Sequence, residues 1–262
     1  MNLELTDQVA LVTAASQGIG RAIAYRLATE GAQVAMSSRA GERLHRAVNG
    51  FSGNSGSIRG FAADLGDTVA TGGLVETVLS TYGRLDVLVV NTPGPPILPA
   101  LDTTLQHWAD AYESLLRPAL QLALGASRVM AAQRCGSIVF ITSTWVKQPV
   151  AGGALSAVLR SGVSALAKQL AIELAPAGVR VNQVMPGATV TERTDNVIAA
   201  KAKAQGTSES EQRRRAIEQI PLGRMAEAAE IANAVAFLAS RAGAFITGAT
   251  LQVDGGAVRS VL

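Results

Sequence analysis

A doubly wound α/β domain, one parallel sheet with helices on both faces, is the fold class this sequence predicts. Three observations predict it. Short apolar runs alternate with longer amphipathic stretches along nearly the whole chain. The central runs, such as Val87-Leu88-Val89-Val90, are continuous rather than alternating, as strands covered on both faces are. And 262 residues, 48% apolar and 16% charged, are material for one domain with a large core.

Strands are predicted at Val9–Thr13, Gln33–Ser37, Ser57–Ala62, Val87–Asn91, Ser137–Thr142, Arg180–Val184 and Thr250–Val253. Helical patterns lie between them at Ile19–Glu30, Asp67–Tyr82, Thr103–Gln133, Ala154–Ala175 and Ala226–Ala239. That alternation gives right-handed βαβ crossovers. Gly31 is placed to end the first helix in a left-handed conformation. Asp67 and Asp102 are candidate N-caps. Pro118 should bend its helix or interrupt the bonding there. Gly50-Phe51-Ser52-Gly53-Asn54-Ser55-Gly56 reads as a flexible surface connection. Residues 188–222 form a long polar insertion, of the kind that covers a ligand. No internal repeat or interdomain linker is visible, so residues 1–262 read as a single domain.

Several function classes fall away. A net charge of +3 and 4% aromatic residues do not make the basic, aromatic-studded face of a nucleic-acid binder. The single cysteine, Cys135, excludes an intrachain disulfide and suits a reducing compartment. His45 and His107 have no ligand-like spacing, so no metal is expected. The start, Met1-Asn2-Leu3-Glu4-Leu5-Thr6-Asp7, has no basic and apolar signal pattern. No apolar run reaches the roughly 20 residues that span a bilayer. A soluble cytoplasmic protein with no membrane partner is expected.

The first strand runs into Thr13-Ala14-Ala15-Ser16-Gln17-Gly18-Ile19-Gly20 and then a helix. Glycines there let the backbone approach a pyrophosphate, and the helix N-terminus offers free N–H groups. The alternative is a tight turn without ligand; its place in a strand-turn-helix at the chain's start favours the nucleotide. The second strand ends Ser37-Ser38-Arg39. It lacks the acid that would read a ribose 2′-hydroxyl, and a guanidinium suits a 2′-phosphate. NADP(H) is therefore favoured over NAD(H).

These residues resemble the short-chain dehydrogenase/reductase family, single-domain type, with a Rossmann fold. Thr13-Ala14-x-x-x-Gly18-Ile19-Gly20 is similar to its glycine turn, with Ala14 in place of the first glycine. Asp64-Leu65 resembles its adenine-contacting pair, and Asn91-Thr92-Pro93-Gly94 stands where it has Asn-Asn-Ala-Gly. Glu173-Leu174-Ala175, Val179-Arg180-Val181-Asn182, Pro186-Gly187 and Asp254-Gly255-Gly256 match later landmarks. The resemblance covers nearly the whole chain, and the type it resembles is that of the 3-oxoacyl-carrier-protein reductases. It implies that Thr13, Ser16, Gln17, Gly18, Ile19, Gly20, Arg39, Asp64, Leu65, Asn91, Pro186, Gly187 and Thr191 line the cofactor. Pro186, Gly187 and Thr191 would lie at the nicotinamide end.

The catalytic positions depart from the family. Its tyrosine falls on Ser156, its lysine on Arg160 and its helix asparagine on Leu115; only its serine is kept, as Ser143. Tyr82 and Tyr112 belong to earlier helices. A serine hydroxyl is a far weaker acid than a phenol, and a catalytic acid works best near the working pH. Arg160 keeps a charge but is not a proton donor. Leu115 removes a polar link in a proton relay. Lys147, in the loop after the fifth strand, is the candidate replacement acid if partly desolvated near Arg160; the other reading is a solvated surface lysine. The catalytic candidates are therefore Ser143, Lys147, Ser156 and Arg160.

Three further features each carry two readings. The proline-stiffened loop Asn91–Pro96 is a substrate wall or a stiff connector. Trp145 lines the pocket or merely packs. Arg213-Arg214-Arg215 meets an anionic tail or, as is commoner, forms a solvated helix face.

The leading expectation is an NADPH-dependent oxidoreductase with a rearranged acid-base site, acting on a small ketone or ketoacyl compound. A lyase or isomerase on the same scaffold, or a non-catalytic nucleotide-binding partner protein, are the alternatives. The resemblance implies a homo-oligomer, a tetramer or dimer, assembled through Thr103–Gln133 and Ala154–Ala175.

Overall fold

Val9–Val12 (β1) is buried at every residue, and so is Val87–Val90 (β4) beside it. Their side chains feed two cores. Val9 and Leu11 face one side with Leu88, Phe140, Leu122 and Leu170. Ala10 and Val12 face the other with Val89, Ile23, Leu27, Ile231 and Val235. A strand with two buried faces needs apolar residues at every position, hence the continuous runs. Each fully buried leucine, isoleucine or valine contributes about 1.5–3 kcal/mol.

The computed structural model describes residues 3–53 and 55–261. Met1 and Asn2 of the opening stretch, and Asn54 of the Gly50–Gly56 connection, lie outside the described residues. Seven parallel strands take the order β3-β2-β1-β4-β5-β6-β7. The others are Gln33–Ser38 (β2), Ser57–Ala62 (β3), Gly136–Ile141 (β5), Val179–Pro186 (β6) and Thr250–Val253 (β7). All seven predicted strands are present, and the fold is the doubly wound Rossmann-like α/β class. The order reverses between β1 and β4, which opens a crevice at their carboxyl ends. Among the described residues no helix is long and apolar enough to cross a membrane.

The helices are Gly18–Thr29 (α1), Glu42–Asn49 (α2), Thr68–Gly72 (α3), Leu74–Tyr82 (α4), Leu105–Ala111 (α5), Arg117–Gln133 (α6), Ala154–Leu174 (α7), Glu192–Gln205 (α8), Glu209–Glu218 (α9) and Ala228–Ala239 (α10). Gly31 follows α1 at φ +95°, where a side chain would be strained. Asp67 caps α3 by accepting from the N–H groups of Val69 and Ala70.

Four expectations need correcting. The predicted Asp67–Tyr82 helix is two helices that meet at Gly73. Asp102 is not an N-cap: it ends a 3₁₀ turn, and Thr104 caps α5 in a reciprocal pair with His107. The predicted Thr103–Gln133 helix widens into a π turn at Tyr112–Leu116 between α5 and α6. Pro118, in the first turn of α6, has no N–H to give, and its ring crowds the carbonyl four residues back, which favours a wider turn. Finally, α2 was not predicted; it buries only Leu44 and Ala47, too short an apolar stripe to stand out. The polar insertion 188–222 carries α8 and α9, with a small core of Ile198, Ile220 and Met225.

Two positions test the frame. Arg180, on β6, donates to the carbonyls of Leu238, Ala239, Ser240, Gly243 and Ile246, and so caps the end of α10. Arg180→Ala should lower the unfolding free energy by about 3 kcal/mol, read by urea denaturation; no change would show that water replaces the guanidinium without cost. In the turn after β1, Ala14 sits at φ +47°, a conformation costing an L-residue about 1–2 kcal/mol. Ala14→Gly should raise the melting temperature by about 2 °C, and a fall would show that the turn is not strained.

Candidate functional site

The crevice is stitched at its base. Thr13 Oγ1 donates to Asn91 O at 2.7 Å and accepts from Asn91 N at 3.1 Å. Asn91 Nδ2 donates to Ala14 O at 3.2 Å. A Cβ on Gly20 would fall 2.5 Å from Ala14 O and 2.8 Å from Asn91 Nδ2, so glycine is required there. Gly18 takes φ +55°. Gln17 precedes α1 without a side-chain cap, which leaves the first N–H groups of a 12-residue helix for another acceptor. Ser16, Gln17, Gly18 and Ile19 are all half-buried along this turn.

At the adenosine end, Arg39 follows β2 and is exposed. Arg43 on α2 donates to Gln17 Oε1 and lies 3.7 Å from Glu192 at the start of α8. Asp64 Oδ1 accepts from Gly66 N at 2.9 Å, which folds the loop after β3. Arg117, buried on α6, fastens that loop through the carbonyls of Leu65 and Gly66.

At the other end, Arg160 is 7% exposed on α7. Its Nη1 donates to Ile141 O at 2.8 Å, two residues before Ser143, and its Nη2 lies 3.4 Å from Thr92 O. The guanidinium thus spans the carboxyl ends of β4 and β5. Burial, then the charge of Arg193, pull its pKa down to about 10. Ser156 is buried one helical turn before Arg160, on the same face. Ser143 Oγ accepts from Trp145 N at 3.2 Å. Arg160 so joins the Asn91-Thr92 loop to the end of β5, with Ser143 two residues further along the chain and Ser156 one turn earlier on α7. Lys147 is directed elsewhere: its Nζ donates to Gln252 Oε1 on β7 at 3.1 Å. Leu115, on the π turn, is fully buried in the apolar core. Trp145 packs on Gly153, where an added Cβ would lie 2.9 Å from the indole.

The insertion closes over this floor. Thr191 caps α8, and its Cγ2 stands 3.5 Å from where a Gly18 Cβ would be. Pro186 O accepts from Thr144 Oγ1, and Gly187 N donates to Val253 O, which anchors the start of the insertion. Arg193 Nη2 donates to Pro95 O at 2.6 Å. Arg213, Arg214 and Arg215 pair with Asp195, Glu211 and Glu218 on the insertion's own surface. An apolar recess of about 310 Å³ opens nearby between Pro99-Ala100 and Pro149–Ala154. Sequence reasoning missed Arg43, Glu192 and Arg193. Glu192 and Arg193 follow the landmark Thr191 directly; Arg43 gave no signal because α2 gave none.

The comparisons with known proteins agree with this geometry. A family model described as Enoyl-(Acyl carrier protein) reductase matches residues 13–258. The 3-oxoacyl-[acyl-carrier-protein] reductase FabG of Escherichia coli (strain K12) is 35% identical over 256 residues, 98% of each chain. The L-sorbose reductase of Gluconobacter frateurii, solved with NADPH and L-sorbose, superposes with a TM-score of 0.92 over the whole of both chains at 27% identity. An actinorhodin polyketide ketoreductase solved with NADPH gives 0.91 at 31% identity, covering 97% of this chain and 98% of its own. With the glycine turn, the β1–β4 crevice and the later landmarks all in place, the chain belongs to the short-chain dehydrogenase/reductase family.

Proposed function

We propose that this chain is an NADPH-dependent oxidoreductase that reduces the carbonyl of a small ketone or ketoacyl compound through a rearranged acid-base site. The observation that carries the reading is the Arg160 guanidinium, buried and held at the carboxyl ends of β4 and β5, two residues short of Ser143 on one side and one helical turn after Ser156 on the other. The residues fit the cofactor. Gly20 leaves no room for a Cβ beside Ala14 and Asn91, and the N-terminus of α1 is uncapped. Relatives support it too: two of the solved neighbours hold NADPH, and the curated relatives are named as 3-oxoacyl reductases.

NADPH, when bound, supplies the hydride. The chain's own residues do the rest. Arg39 offers a guanidinium to the 2′-phosphate, and the Gly18–Gly20 turn with the α1 N-terminus takes the pyrophosphate. Thr13, Ser16, Gln17, Ile19, Asp64, Leu65, Asn91, Pro186, Gly187 and Thr191 complete the cofactor groove. Ser143 and Ser156 offer hydroxyls to the substrate oxygen. Arg160 stays charged at neutral pH and stabilises negative charge developing on that oxygen in a water-poor place. Lys147 is the proton donor; it reaches the substrate by leaving Gln252, a neutral partner. The insertion 188–222 covers the substrate. The proposed form is a cytoplasmic homo-oligomer, a tetramer or dimer by resemblance to the family.

Two measurements test this. Arg39→Ala should weaken NADPH binding by about tenfold or more and NADH binding hardly at all; equal losses would remove the 2′-phosphate role. Ser143→Ala should lower kcat by about 10²–10³-fold, and Lys147→Met by about 10²–10⁴-fold, with little change in NADPH affinity. Tight NADPH binding without turnover of any carbonyl compound would instead favour the non-catalytic reading.

A further inference from the structure

Two guanidiniums close on one loop, and neither has an acid. Arg160 holds the loop at Thr92 O, and Arg193 holds it at Pro95 O. Arg193 lies flat across Gly94, where an added Cβ would come within 2.6 Å of its Cζ. Among the described residues neither arginine forms an ion pair, although Arg26, Arg43, Arg84, Arg117, Arg213 and Arg224 all do. Arg193 is near enough for its charge to disfavour that of buried Arg160, while Arg193 itself remains exposed on the crevice side of the insertion's first helix.

A guanidinium has five N–H donors, and Arg160 commits two of them, both to main-chain carbonyls. Carbonyl dipoles reduce the cost of burying a cation but do not neutralise it. A buried cation without an acid, with a second and exposed cation fastened to the same loop, is the electrostatic complement of an oxyanion, which a planar fork binds with directed hydrogen bonds. The cofactor's pyrophosphate is one possible source of that oxyanion and a substrate carboxylate is the other. The pyrophosphate already has its cradle at Gly18–Gly20 and the N-terminus of α1, between β1 and β4. Arg160 stands one strand further along, between β4 and β5, beside Ser143.

We propose that Arg160 and Arg193 form a carboxylate subsite, and that the substrate is an oxo acid whose carboxylate they hold while its carbonyl faces Ser143. The proposal rests on the reductase reading of the same site. Arg193 comes from α8, so the anion also joins the insertion to the floor of the crevice. The insertion then closes fully only over a charged substrate, which selects oxo acids over neutral ketones of the same shape.

The test is equilibrium binding to the full-length chain with NADP⁺ bound, by calorimetry. The probes are pyruvate and acetoacetate, each against its methyl ester. The acids should bind about tenfold or more tightly than their esters. Arg193→Met should bring that ratio close to one and leave NADPH affinity within about threefold. Gly94→Ala, which displaces the guanidinium but keeps its charge, should give an intermediate ratio. Equal affinity for acid and ester in the unaltered chain overturns the proposal. So does an Arg193→Met loss for NADPH that matches the loss for pyruvate, because the pair would then serve the pyrophosphate. Binding needs no turnover, so the result stands even for a chain that reduces none of the probes. Failure of NADPH to bind at all would overturn the reductase reading instead, and the acid-to-ester ratio is then read without nucleotide.

Discussion

The structure depends on the seam between the carboxyl ends of β1 and β4. There the strand order reverses, and the crevice would splay without a tie across it. Thr13 supplies the tie with one hydroxyl that both donates to and accepts from the backbone of Asn91. Asn91 returns a side-chain amide to Ala14. These bonds close the space that a side chain at Gly20 would need, so the seam and the glycine turn determine each other. The uncapped start of α1 is then held beside the mouth of the crevice. The strained backbone at Ala14 is the cost of that placement: a left-handed residue is needed where the chain turns, and alanine occupies it without glycine's freedom.

Two guanidiniums on neighbouring elements, Arg160 buried and Arg180 half-buried, show how surroundings separate structure from candidate chemistry. Arg180 and Arg160 both have pKa values lowered by burial, and both bond only to main-chain carbonyls. Arg180 meets five carbonyls at the end of α10, where the helix dipole is negative, and so completes a cap. Arg160 meets two, at strand ends, with a second cation as its electrostatic neighbour. The first environment consumes the guanidinium. The second leaves donors unspent at the place where the family's chemistry is expected.

The centre of the sheet was legible in the sequence because a doubly covered strand leaves a run with no polar interruption, as in β1 and β4, whereas β3 and β7, which carry polar and exposed residues, were legible only from their place in the strand-helix alternation. Helix interiors were legible where an apolar stripe was long, as in α1, α7 and α10. The misses are local. Eight-residue α2 buries two side chains, an apolar stripe too short and too sparse to be read as a helix. Whether Asp102 or Thr104 would cap α5 turned on a two-residue shift that composition alone does not decide. The cofactor turn was readable because its glycines answer a steric demand. Arg193 was not, because its importance comes from a contact across 98 residues of sequence with Pro95. Lys147 shows the converse: its place in the loop was readable, but its bond to Gln252 depends on β7 standing beside β6.

Among the ties that hold the insertion to the rest of the molecule are the bridge of Thr189 to Ala226, the approach of Glu192 to Arg43, and the bond from Arg193 to Pro95. The second is an exposed ion pair at 3.7 Å and contributes little. The third brings an exposed cation toward buried Arg160, whose charge it disfavours, and is made to one carbonyl. An oxyanion placed between the two arginines reverses the sign of the interaction, from two like charges to a bridge with charge-assisted hydrogen bonds on both sides. In the proposed reading, recognition of the substrate and closure over it are then one event, governed by the same pair of side chains.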